Sequence, residues 1–107
     1  MTVPPDDSPP RPHILIGLIR KLVLQGEVSF ADHADEREEY REIDDDDVLK
    51  VIELGDIEGE IVQGKRPGEW RCCVVGRPHW AERDVGVVTV VIRMREVLIV
   101  TVEWMDP

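Results

Sequence analysis

A chain of 107 residues, 42 % of them hydrophobic, has room for one modest core, which argues against both a multidomain protein and a disordered one. Thirteen basic residues against 23 acidic ones give a formal charge of −10, which disfavours nonspecific polyanion binding by the chain taken whole. With three Trp, one Tyr and one Phe, the core must be built from Val, Ile and Leu.

The charge is uneven. Residues 32–47 carry ten acids and two arginines, a net of −8, whereas from Lys65 onward seven basic residues face six acidic ones. The acidity is therefore local, and a neutral or basic face can survive on the C-terminal half.

In chain order, Met1 to Pro12 holds five prolines and two aspartates and is expected as a tail ahead of a single domain at 13–107. Its composition is not that of a secretory signal. His13 to Leu24 has helical periodicity, with Ile14, Leu15, Leu18 and Leu22 on one face, Gly26 as its stop, and Arg20 and Lys21 suited to its negative C-terminal end. Gly26 to Phe30 reads as an extended link. A second helix is expected from about Asp32 to Ile43, and a third from about Asp46 to Leu54, capped by Asp44 or Asp45 and closed by Gly55.

The rest reads as strands: Ile57 to Gln63, Trp70 to Gly76, Val85 to Ile92 and Val97 to Trp104. Gly64, Pro67 and Gly68 mark the first turn, and Arg93 to Glu96 the last. The run Val87, Val88, Val90, Val91, Ile92 is apolar on both faces, as a central strand is. Arg93, Arg95 and Glu96 interrupt the long C-terminal apolar stretch, so no membrane span is expected. Cys72 and Cys73 are neighbours on a strand and point to opposite faces. They are read as reduced thiols of a cytoplasmic protein, not as a disulfide or a metal site. The expected fold is α+β: N-terminal helices packed on one face of a four-stranded, mainly antiparallel sheet.

The least ordinary feature is a stripe of His33, Arg37 and Arg41, spaced by four so that they stack along one helical face. A titratable imidazole beside two permanent guanidinium charges suits a phosphodiester, with His exchanging the proton and Arg holding the charge. The same arginines could instead pair with the acids around them and leave the stripe structural. His79 sits in a loop beside Trp80 and Arg83. A stacking Trp near a His suits a nucleobase, whereas a lone loop Trp more often anchors its loop. The Asp44 to Asp47 run matches no calcium loop and reads as a capped helix start.

The segment from Ser29 to Ile43 resembles the F-x-x-H-A-x-x-R-x-x-x-R-x-I opening of the bacterial domain-of-unknown-function 4258 family. Asp47-Val48, Val51-Ile52-x-x-Gly55, Val75-Gly76 and Ile99-Val100-Thr101-Val102 continue the likeness in order, over roughly residues 28 to 104. This resemblance implies a RelE- or barnase-like scaffold and toxin-type ribonuclease activity needing no cofactor. In that reading His33, Arg37 and Arg41 are catalytic, Arg71, Thr101 and His79 bind substrate, and no metal is used. It implies RNA as substrate and a zinc-finger or DNA-binding antitoxin as partner. The alternative is a non-catalytic interaction protein with a structural stripe. A homodimer through the C-terminal hairpin is a further reading of the apolar last strands.

Overall fold

The computed structural model describes residues 8–31, 43–78 and 80–105. Its elements are α1 (Pro12–Leu24), β1 (Val28–Phe30), α2 (Asp45–Leu54), β2 (Asp56–Gln63), β3 (Glu69–Gly76), β4 (Val85–Ile92) and β5 (Glu96–Trp104).

Pro12 opens α1 at a position where its missing N–H costs nothing and its fixed φ favours the helix. Leu15, Ile16, Ile19 and Leu22 form the buried face. At the other end Gly26 takes φ 79°, and the Glu27 and Gly26 amides donate to the Leu22 and Val23 carbonyls, closing the helix with a Schellman turn. α2 begins with a reciprocal capping box: the Asp47 amide donates to the Asp44 side chain at 2.8 Å, and the Asp44 amide to the Asp47 side chain at 3.3 Å. Three acids in its first turn, Asp45 to Asp47, also suit the positive end of the helix dipole.

The sheet runs β1-β5-β4-β3-β2, with β4 in the centre. β2 to β5 form an antiparallel meander, and β1 pairs parallel to β5 through Val28↔Val97, Ser29↔Leu98 and Phe30↔Ile99. The expectation of a four-stranded, mainly antiparallel sheet preceded by its helices is therefore corrected. The general α+β class fits, but the sheet has five strands and is mixed, and β1 lies between the helices. The segment read as a link is the fifth strand. Three residues show no period of their own, and their partner lies near the far end of the chain. The helix expected over 32–43 falls outside the described residues, except for Ile43, which is 1 % exposed.

Strand alternation divides the sheet into two faces. Cys72 and Val74 of β3, Val85, Val87 and Val91 of β4, and Val97, Ile99 and Val102 of β5 join the helices in one continuous core. Thr89 is the polar side chain buried on that face, and its hydroxyl donates to the Val87 carbonyl at 3.1 Å. A bulge in β5 opposite Val88 and Thr89 restores the register needed to turn Val102 inward.

α2 is fixed to the sheet at its C-terminal end. A side chain at Gly55 would meet the Val75 carbonyl oxygen at 2.3 Å and the Val51 carbonyl oxygen at 2.6 Å. The glycine is there for close backbone approach, since its φ of −86° is ordinary. Arg20 of α1 does not serve its own helix end. It reaches across to donate to the Ile52 and Gly55 carbonyls at 3.0 and 2.5 Å, satisfying acceptors that α2 leaves open.

Gly55→Ala should destabilise the fold by about 1–3 kcal/mol, the usual cost of overpacking against atoms that cannot yield. Thermal denaturation followed by circular dichroism should show the midpoint falling by about 4–8 °C per kcal/mol. The β4–β5 turn carries the opposite opportunity. Arg93 and Met94 both have positive φ, 53° and 58°, with the Arg95 amide donating to the Ile92 carbonyl, which is the type I′ pattern that favours Asn-Gly. The double variant Arg93→Asn, Met94→Gly should gain about 1–2 kcal/mol in urea denaturation, because left-handed backbone costs roughly that for other residues.

Candidate functional site

The face of the sheet away from α1 and α2 carries the site candidates that the structure describes. Arg71 on β3 pairs with Val90, and Thr101 on β5 pairs with Val88, which sets both on this face and on opposite sides of β4. Arg71 is exposed and Thr101 is half-buried. His33, Arg37, Arg41 and His79 lie outside the described residues.

Arg71 lines a groove of about 420 Å³ on this face. Its floor is aliphatic: Val90, Ile92, Leu98 and Val100. Lys65, Glu69 and Arg71 supply its charges, two positive and one negative, and Ala31 stands at its rim. Arg71 and Lys65 take part in no ion pair among the described residues, so both present charge to whatever enters.

The 77–84 loop closes the opposite end of the sheet. Trp80 donates its indole N–H to Asp47 at 2.9 Å and packs edge-on against Trp104, ring centroids 6.0 Å apart. Arg83 lies over the Trp104 ring at 4.5 Å, and Arg77 pairs with Asp84 at 3.2 Å. The sequence reading of Trp80 as an anchor buried in the core is not met: the ring is 47 % exposed, and its indole N–H ties the loop to the start of α2 instead. Asp47 serves twice, with one carboxylate oxygen on the helix cap and the other on the indole.

The two thiols divide as strand alternation requires. Cys72 is buried in the core, and burial, helped by neighbouring Cys73, pushes its pKa up to about 12. Cys73 is half-buried on the other face. Burial raises its pKa first, then Glu103 and Glu58, while a backbone hydrogen bond from Val87 works against them. Neither is poised as a nucleophile near neutral pH, because the thiolate is the reactive form. Among the described residues no three His, Cys, Asp or Glu side chains gather to hold a metal ion, and no helix is long and apolar enough to cross a membrane.

Sequence reasoning missed a second set of cations. The β2–β3 and β4–β5 turns lie at the same end of the meander, joined by the Arg93 amide donating to the Gly68 carbonyl at 2.8 Å. The two turns carry Lys65, Arg66, Arg93 and Arg95, all four exposed. The signal was present in the strand order, since alternate hairpin connections of a meander share one end.

No family model, curated protein or solved structure matches the chain.

Thiol labelling checks the site's chemistry. In a Cys73→Ser background, Cys72 should react with iodoacetamide only on unfolding. In a Cys72→Ala background, Cys73 should label slowly in the native protein, with a rate that rises as pH climbs past the ordinary thiol range. Mass spectrometry reads both, and rapid native labelling of Cys72 at neutral pH would contradict the packing described.

Proposed function

We propose that this chain is a toxin-type, metal-independent ribonuclease that works on the face of its sheet away from α1 and α2. The observation that carries the reading is the groove: cationic through Arg71 and Lys65, and rimmed by Ala31, two residues before His33. The spacing of His33, Arg37 and Arg41 in the sequence supplies the chemistry such a groove would need.

In this reading the ribose 2′-OH attacks the adjacent phosphorus. The 2′-O–P bond forms, the P–O5′ bond breaks, and the products are a 2′,3′-cyclic phosphate and a 5′-hydroxyl. His33 takes the proton from the 2′-OH and passes one to the departing O5′, while Arg37 and Arg41 hold the charge on the phosphorane. Arg71 and Thr101 bind substrate on the sheet, and His79 contributes from its loop. A zinc-finger or DNA-binding antitoxin is the partner this reading calls for.

One observation favours a second reading. The groove floor is wholly aliphatic and offers no aromatic ring to stack on a base, which suits a protein partner and a non-catalytic role. The test separates them. Purified protein should cut single-stranded RNA in excess EDTA, leaving cyclic phosphate ends, and His33→Ala should slow cutting by about 10²–10⁴-fold, as loss of a general acid–base does. RNA left intact by the wild-type protein removes the nuclease reading in favour of the interaction protein. Cleavage that survives both His33→Ala and Arg37→Ala removes the stripe as its site.

A further inference from the structure

Six of the chain's thirteen basic residues lie toward one end of the sheet. Lys65 and Arg66 in the β2–β3 turn, Arg93 and Arg95 in the β4–β5 turn, Arg71 on β3 and Lys21 on α1 are all exposed. Lys21 and Arg95 line one shallow recess together, and Lys65 and Arg71 line the groove. Among the described residues none of the six is in an ion pair. The acids described at this end are Glu27, Glu69 and Glu96, so the described residues there sum to +3.

The opposite end is acidic. Asp44 to Asp47 at the start of α2, Asp56 at the start of β2, Glu82 and Asp84 in the loop, and Glu103 near the end of β5 are set there by the Trp80–Asp47 bond and the pairings Asp56↔Val75 and Gly86↔Glu103. The eight residues of β3 separate the two ends by about 26 Å. Charges exposed to solvent are screened over about 8 Å at physiological salt. The acids at the far end therefore leave the potential at the turns nearly untouched, and the net charge of the chain does not describe the surface a ligand meets there.

We propose that the turn end of the sheet is a docking surface for the phosphodiester backbone of single-stranded RNA, with Lys65, Arg66, Arg93 and Arg95 as its contacts. This rests on the ribonuclease reading and assigns where the strand is held beyond the cleavage groove. The turns span the ends of four adjacent strands, about 14 Å across, and the groove with Lys65 and Arg71 on its wall opens beside them. A strand crossing the turns thus enters the groove without leaving the cationic surface. The turn residues bring no base-reading geometry with them, so the surface binds backbone and is indifferent to sequence.

The experiment is fluorescence anisotropy with a labelled, fully 2′-O-methylated 20-nucleotide RNA, which cannot be cut by 2′-OH chemistry, so that binding is read apart from cleavage. Four phosphate contacts give a salt slope of about −2.8, and hence an affinity about 50-fold weaker at 200 mM than at 50 mM salt. Neutralising all four (K65Q, R66Q, R93Q, R95Q) should abolish most of that slope. Each double variant, K65Q with R66Q and R93Q with R95Q, should remove about half, which keeps the test informative if the quadruple variant folds poorly. Lys50→Gln, on exposed α2 and paired with Glu53, should bind as wild type.

Unchanged binding in both double variants, or affinity flat in salt, overturns the proposal. So does stronger displacement by polyglutamate than by unlabelled RNA, which would make the surface an acidic-protein site. If the methylated RNA binds as expected but ordinary RNA is not cut, the docking surface stands and the nuclease reading falls. Cutting without turn-dependent binding gives the reverse result.

Discussion

The C-terminal end of α2 is where the two helices and the sheet meet, and the meeting is made by backbone rather than by side-chain bulk. Gly55 lets the helix end lie against the Val75 carbonyl, and Arg20 comes from α1 to hold the Ile52 and Gly55 carbonyls that the helix cannot satisfy itself. Hydrogen bonds from a charged donor are worth about 1.5–3 kcal/mol each, a large share of the stability of a small domain. With this corner fixed, Val48, Val51 and Ile52 are aimed at β3 and β4. The face of the sheet away from α1 and α2 is then left, among the described residues, to side chains that pack less and carry more charge.

The other end of α2 is pinned as well. Asp47 joins its own helix cap to Trp80, and through the Trp80–Trp104 contact to the end of β5. The loop holding Arg77 and Arg83 is thereby committed to structure, whereas the cations of the turns and Arg71 enter no ion pair among the described residues. The two ends of the sheet divide the labour: one is knitted by aromatic and acidic contacts, and the other is exposed and cationic.

Much of this architecture was legible in the sequence, for identifiable reasons. α2 and its Asp44 cap follow from an acidic start before an apolar period, and the four meander strands follow from β-branched runs between turn residues. The doubly apolar run of β4 marks the central strand that it forms. β1 was not legible as a strand, because Val28–Phe30 owes its conformation to Val97–Ile99 and to nothing local. The role of Arg20 was misread for a similar reason: a cation near a helix end was assigned to its own helix dipole, although its acceptors lie more than thirty residues away. For the site, strand alternation alone did not set Arg71 and Thr101 on one face: counted from Val97 and Ile99 it puts Thr101 with the core, and the bulge in β5 turns it to the side of Arg71. The His33 stripe was read from spacing alone and lies outside the described residues.

The parallel pairing of β1 with β5 has a consequence for the order in which the chain can be completed. Synthesis delivers α1 and β1 ahead of the meander, yet the partner of β1 is the final strand of that meander, β5. Until Val97–Ile99 emerges, the N-terminal segment has no strand to join and the core-facing residues of α1 lack part of their cover. The fold cannot be assembled vectorially from its beginning. It closes only when β5 arrives, so a nascent chain stalled short of that strand keeps the apolar face of α1 in reach of chaperones and proteases.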